Sequence, residues 1–187
     1  MNIENYVEVA SIAASAVGIL ASIFTVLKTK KQLSIKTQDS FYQVIQSARN
    51  ELDILGITLS QILRNENILS GVKHKISQGI KVRVILASEK SVQQWGESLG
   101  LASERIEAIV LNHKESIQRL LESGVEVRLI DHIGPVTFVL SDNFLVNKPN
   151  SFSNDLESGS VIVTSKPSMV AEYRNMFHSL WASSYGL

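Results

Sequence analysis

Four histidines and no cysteine carry most of the side-chain chemistry open to this chain: His74, His113, His132 and His178. With no thiol there is no disulfide framework and no thiolate nucleophile. His132 is the best placed for chemistry. It stands three residues before Pro135 in the stretch DHIGPVTFVLSD, near the Thr137 hydroxyl and the Asp142 carboxylate. An imidazole there is a candidate nucleophile or base, and equally a strand-end side chain that hydrogen-bonds locally. His113 precedes Ile117 by four residues on the apolar side of a long helical pattern, which reads as a core or edge histidine. His74 and His178 fall among polar neighbours on helices and read as solvated. No His, Asp or Glu pair has metal-ligand spacing, so neither a metal nor a cofactor is expected. Gly159-Ser160 alone does not make a phosphate-cradling loop.

The elements that must position these residues alternate along the chain. Phe41–Asn50 reads as a helix and Leu52–Ile57 (LDILGI) as a buried strand. Asn67–Gln78 places Ile68, Leu69, Val72 and Ile76 on one helical face, closed by Gly79. Lys81–Leu86 (KVRVIL) is a strand. Glu104–Glu122 is a long amphipathic helix with Ile106, Ile109, Val110, Ile117, Leu120 and Leu121 inward, and Gly124 stops it. Val125–Ile130 is the next strand. Val136–Leu140 and Asn143–Val146 form a hairpin turning at Ser141-Asp142. Ser160–Thr164 is a further strand, and Pro167 opens a last helix through Trp181. The order β-α-β-α-β-β-β-α predicts an α/β sandwich with a mixed sheet.

Ahead of these elements lies a different kind of segment. Val9–Leu27 is nineteen residues without a charge, followed by Lys28, Lys30, Lys31 and Lys36. As a helix the run reaches roughly 28 Å, about the hydrocarbon thickness of a bilayer. A signal peptide wants a positive start, and here Glu4 and Glu8 come first. The run is therefore expected to be a transmembrane helix. The lysines put the N-terminus outside and the rest in the cytosol, a single-pass membrane protein. Glu8, Ser11, Ser15, Gly18, Ser22, Thr25 and Thr29 recur at alternating spacings of three and four, which keeps them on one side of a supercoiled helix. Small and polar residues are what associates helices in lipid. The stripe fits a self-association seam, or a pore lining with Glu8 at the outer mouth.

Charge divides the chain at the same place. Residues 1–38 hold four lysines and two glutamates, while residues 39–187 hold fourteen Lys/Arg and sixteen Asp/Glu, a net of −2. That balance disfavours non-specific nucleic-acid binding, which depends on neutralising phosphates. The early lysines fit anionic lipid headgroups. The division predicts a span with a basic stalk over 1–38 and a cytosolic domain over 39–187.

From Phe41 to Ser184 the chain resembles one half of the phospholipase D superfamily. The resemblance is carried by "ELDILGITLSQIL", "GVKHKISQGIKVRVILAS", "SGVEVRLIDHIGPVTFVLSDNFLV" and "EYRNMFHSLWASS". The catalytic motif of that family is His-x-Lys-x4-Asp, whose His attacks phosphorus and whose Lys stabilises the phosphoryl oxygens. With Asp142 as the motif aspartate, Pro135 stands at the His position and Thr137 at the Lys position. Proline cannot attack phosphorus, and threonine cannot neutralise a phosphate. Starting instead from His132 puts Gly134 and Val139 at the other two positions. Active members use two motifs, and a second is absent here. The resemblance implies a phospholipase D-like fold, a two-fold dimer and a degenerate site.

In that fold a pocket forms where strand ends meet the turn before the first helix. Thr58, Ser60, His132, Thr137, Asp142 and Ser160 are its candidate lining, suited to a small nucleotide-like ligand. Equally, these hydroxyls and the carboxylate end strands. Three functions follow as expectations. One is a homo-oligomeric membrane effector or sensor, of a build resembling antiphage effectors that perturb membranes, driven by a ligand or protein partner. The others are a membrane-tethered phosphodiesterase and a membrane-anchored dimeric scaffold.

Overall fold

In the computed structural model, residues 37–132, 136–149 and 161–187 are described. The expected span, its polar stripe and Ser160 lie outside them, as does Pro135. No helix among the described residues is long and apolar enough to cross a membrane.

The chain builds α1 (Thr37–Ser47), β1 (Glu51–Gly56), α2 (Ser60–Leu63), α3 (Glu66–Ser77), β2 (Lys81–Ala87), α4 (Glu89–Ser98) and α5 (Ser103–Glu122). It continues through β3 (Glu126–Ile130), β4 (Val136–Leu140), β5 (Leu145–Pro149), β6 (Ile162–Thr164), α6 (Pro167–Ser183) and β7 (Tyr185–Gly186). The sheet order among described residues is β6-β5-β4-β1-β2-β3-β7. Strands β1, β2 and β3 are parallel, and every other pairing is antiparallel. The expected mixed sheet is present.

Both faces of the sheet are covered, so its central strands read as continuous apolar runs. One face sends Leu52, Ile54, Val82, Val84, Leu86, Val127 and Leu129 into a core completed by α1, α3 and α5. The other sends Leu55, Ile85, Phe138, Leu140 and Leu145 against Val170 and Phe177 of α6. A third cluster, Ile57, Ala87, Val92, Ile106 and Val110, closes the C-terminal ends of β1 and β2 beneath α4 and α5. Gly79 and Gly124 take φ of 77° and 78° and end α3 and α5, the left-handed stop read from their positions.

The structure departs from the expectations at identifiable points. Leu121 is 41% exposed rather than inward, and His113 and Ser116 take the inner positions of α5 instead. Both polar groups can go inside because each has a partner: His113 Nε2 donates to Ala87 O at 2.8 Å, and Ser116 Oγ donates to Asn112 O at 2.8 Å. Helices α2 and α4 and strand β7 were not expected. α4 (EKSVQQWGES) offers only Val92 and Trp95 as large apolar residues, and it is started instead by Ser88, whose Oγ accepts from Ser91 N. The hairpin turn is wider than expected, with Ser141 N donating to Phe144 O, so β5 begins at Leu145.

Charges are also buried between sheet and α6. Arg83 pairs with Asp53, its neighbour in register on β1, through Nε–Oδ1 at 2.7 Å and Nη2–Oδ2 at 2.9 Å. Asp53 is 1% exposed and Arg83 8%. The guanidinium lies 5.2 Å from the Phe177 ring and 5.7 Å from Trp181. Arg83→Met strands a buried carboxylate and is expected to cost about 3–5 kcal/mol. Combining it with Asp53→Leu recovers most of that loss, read as the urea midpoints of the full chain.

Candidate functional site

Parallel strands end together, and the loops that leave them converge on one edge of the sheet. Here that C-terminal edge is made by Ile57 after β1, Ala87 and Ser88 after β2, and Asp131 and His132 after β3. An open cleft of about 390 Å³ lies there, lined by Ile57, Ala87, Ser91, Gln94, Trp95, Asp131 and His132. α4 supplies Ser91, Gln94 and Trp95 because Ser88 caps its start at the end of β2. Ser91 Oγ donates to Asp131 O, and Tyr185 Oη donates to Asp131 Oδ1 at 3.2 Å. The C-terminal strand β7 is thereby tied to the rim. A hydrogen bond from Ser88 holds the Asp131 carboxyl below its ordinary value, with smaller help from Tyr185 and Lys90, so the rim carries a negative charge.

The expected pocket residues separate into several places. His132 is exposed on this cleft. Thr58 is half-buried just after β1. Ser60 lines a smaller cleft of about 120 Å³ with Arg64, Asn112 and Arg119. Thr137 is buried, 3% exposed, and its Oγ1 lies only 3.2 Å from where a Cβ on Gly56 would stand. Asp142 is at the opposite edge. Five residues of extended chain separate it from Thr137, about 17 Å, so the two cannot line one pocket. Its carboxylate accepts from Arg49 N at 2.7 Å, Asn50 N at 3.2 Å and Asn50 Nδ2 at 2.9 Å. Partial burial works to raise that carboxyl, but these hydrogen bonds outweigh it and hold Asp142 below the usual carboxylate range. Its role in the structure is to close the connection between α1 and β1.

Sequence reasoning missed two features. The first is Lys148, the register partner of Thr137 on β5, 6% exposed. Directly opposed residues share a sheet face, so a buried ammonium stands one strand away from the motif's cation position. Only the pairing register, invisible in the linear spacing, brings it there. The second is the group Glu51, Asp53 and His178, whose ligand atoms lie within 4.8 Å of one another. Such a donor set suits a divalent cation, yet Arg83 already sits among all three, with Nη2 at 3.1 Å from Glu51 Oε2 and 3.3 Å from His178 Nε2. Arg174 Nε adds a contact to Glu51 at 2.9 Å. Two guanidinium groups balance the two carboxylates, so the arrangement fits an ion-pair network better than a metal centre. His113, read from the sequence as a core or edge histidine, is fully buried beneath the cleft floor at Ala87.

These observations define the class of the fold. No family model matches the chain, and no curated protein matches it in sequence. Solved structures do match. Nuc from Salmonella typhimurium, a phospholipase D family member, aligns with TM-score 0.55 at 11% identity over 79% of this chain and 88% of its own. NucT from Helicobacter pylori aligns with TM-score 0.55 at 15% identity over 81% and 91%. The phosphatidylserine synthase of Haemophilus influenzae gives 0.52 at 15% identity over 80% of this chain and 36% of its own. The described part of the chain has a phospholipase D-like α/β fold.

His113 makes the edge sensitive to acid. Burial pushes its imidazole below the ordinary value of 6.5, against the Ala87 hydrogen bond, and Nδ1 has no partner among the described residues. The unfolded chain therefore binds a proton that the folded chain resists. Stability is full above pH 6.5, and falls as pH drops below it until the folded value is passed. His113→Gln is expected to flatten this dependence in urea midpoints taken at about pH 8 and about pH 5.

Proposed function

We propose that this chain is a membrane-anchored binding module, in which a phospholipase D-like domain recognises a small ligand or a partner without hydrolysing it. The carrying observation is the pair Thr137 and Lys148. The motif's cation position holds a buried hydroxyl packed toward Gly56, and its register partner on the neighbouring strand is the buried Lys148. The motif's nucleophile position is Pro135. This pattern supports a domain that keeps polar and charged groups near the edge while giving up the attacking imidazole. The ligand class that fits is a small polar molecule without net charge, such as a nucleoside, since the rim carries the Asp131 carboxylate. Gln94 and Ser91 offer hydrogen bonds at the adjoining cleft.

The N-terminal run completes the reading. Its length suits a span, and its polar stripe suits self-association. Binding at the domain would then change the association of the spans, as an effector that perturbs the membrane or opens a pore would require. The tethered-hydrolase reading has one observation in its favour, the exposed His132 on the cleft.

Two experiments separate these readings. The full chain is expected to show no turnover of a generic phosphodiester, and His132→Ala to be indistinguishable from it; turnover that disappears in His132→Ala would establish the hydrolase instead. Ser15→Leu combined with Gly18→Leu is expected to reduce oligomer size in detergent and to abolish any loss of membrane potential on expression. Unchanged oligomers and potential in that double variant sink the association reading.

A further inference from the structure

At the opposite, N-terminal edge of the sheet lies a second and larger cleft, about 760 Å³, between the end of α1, the end of α3 and the β4–β5 turn. Its walls include Lys75, Arg49, Gln46, Gln78, Asn143 and Phe144. Lys75 is unusual there. It is 6% exposed, and its ammonium makes two hydrogen bonds, to Gln46 O at 2.7 Å and Ala48 O at 3.0 Å. No carboxylate pairs with it among the described residues. An ammonium has three donors, so one remains. Buried charges are ordinarily paired.

The two carbonyls come from the C-terminal end of α1, which carries about half a negative elementary charge from the aligned peptide dipoles. The helix end offsets only part of the Lys75 charge, and Lys75 lines a cleft that Arg49 also lines. Asp142, beside Asn143 in sequence, is held by Arg49 N, Asn50 N and Asn50 Nδ2 and does not line the cleft, but it stays an ionised carboxylate at this edge. Three carboxamides, Gln46, Gln78 and Asn143, bring N–H donors to the same walls. Phe144, 41% exposed, offers an apolar plane beside them.

We propose that this cleft is an anion site for a phosphate group, with the remaining Lys75 donor and the Arg49 guanidinium as its charged contacts. The phosphate belongs to a soluble phosphate ester or to a lipid headgroup. The site is distinct from the C-terminal edge and does not rest on the function proposed for that edge. It also gives a reason for Lys75 to be a lysine: an apolar residue there would leave α1's last carbonyls unsatisfied, and an acid would repel both them and the ligand.

The test uses the full chain in detergent and inorganic phosphate as the probe, followed by calorimetry or by thermal shift at millimolar concentration. The wild-type chain is expected to bind. Arg49→Gln and Asn143→Asp, both on exposed positions, are each expected to weaken binding about tenfold or more, from the loss of a charge-assisted contact and the addition of a repulsive one. Lys75→Met is expected to abolish it. Lys114→Gln, an exposed position on α5 that lines neither cleft, is expected to leave the affinity unchanged. Repeating the titration in nanodiscs with and without phosphatidic acid separates the two sources. Competition by that lipid supports a headgroup site, and its absence supports a soluble ester. No binding by the wild-type chain, binding indifferent to both Arg49→Gln and Asn143→Asp, or binding lost in Lys114→Gln would overturn the proposal.

Discussion

Arg83 is the side chain on which the arrangement of sheet and α6 turns. It leaves the central strand β2 on the face that α6 covers, where an unpaired guanidinium would be very costly. Its partners are spread over two elements. Asp53 holds it from β1, Glu51 from the start of the same strand, and His178, Phe177 and Trp181 from α6. Arg128 repeats the pattern one strand further, 4.5 Å from the Trp181 ring and donating to Trp181 O. Glu51 then passes the network to Arg174, whose Nη2 donates to Ser141 O and Asp142 O in the β4–β5 turn. Alternative packings of α6 would break this set, so the charges select one docking even where apolar contact alone would allow several. Hydrophobic replacement of a buried ion pair often stabilises as much, so specificity is the better account of the network than stability.

Much of this was readable in the chain, but not all of it. β1, β2 and β3 stand out because a sheet covered on both faces needs continuous Val, Ile and Leu. The helix stops at Gly79 and Gly124 stand out because φ above zero favours glycine. α4 did not, since its sequence is mostly polar and its existence depends on a cap and on docking over Ala87. Leu121 was placed inward by periodicity, but His113 and Ser116 displaced it by finding backbone partners. Other features escape because a polar group is satisfied by something distant in sequence. Lys75 reaches Gln46 O and Ala48 O, His113 reaches Ala87 O, and Arg83 reaches Asp53, and no local pattern announces any of these.

The candidate site shows the same division. The loss of the motif's His and Lys could be read by counting from Asp142, because the count needs only one strand. The position of Asp142 itself was misjudged, since a five-residue strand carries it to the far edge. Lys148 was invisible for the opposite reason: it is remote from Thr137 in sequence terms of function and adjacent only through the register of a hairpin. Strand registers and helix docking, unlike strand existence, are set by side chains that meet only in the folded chain.

The two edges of the sheet end up with different electrostatic characters. At the C-terminal edge the exposed charge on the cleft rim is the ionised Asp131, and the ammonium of Lys148 is buried behind the surface. At the N-terminal edge Lys75 and Arg49 line the larger cleft, while Asp142 is turned to backbone amides. A free anion approaching from solvent meets the Asp131 carboxylate at the first edge, and Lys75 and Arg49 with the Asp142 carboxylate beside them at the second. Interaction between charges at these separations is screened over about 10 Å in ordinary salt, so each edge acts on ligands locally. The end of α1 lies in the second cleft, and α1 begins in sequence one residue after Lys36, the last of the basic segment. A ligand that changed how Lys75 holds Gln46 O and Ala48 O would therefore act first on the helix that joins this domain to the N-terminal segment.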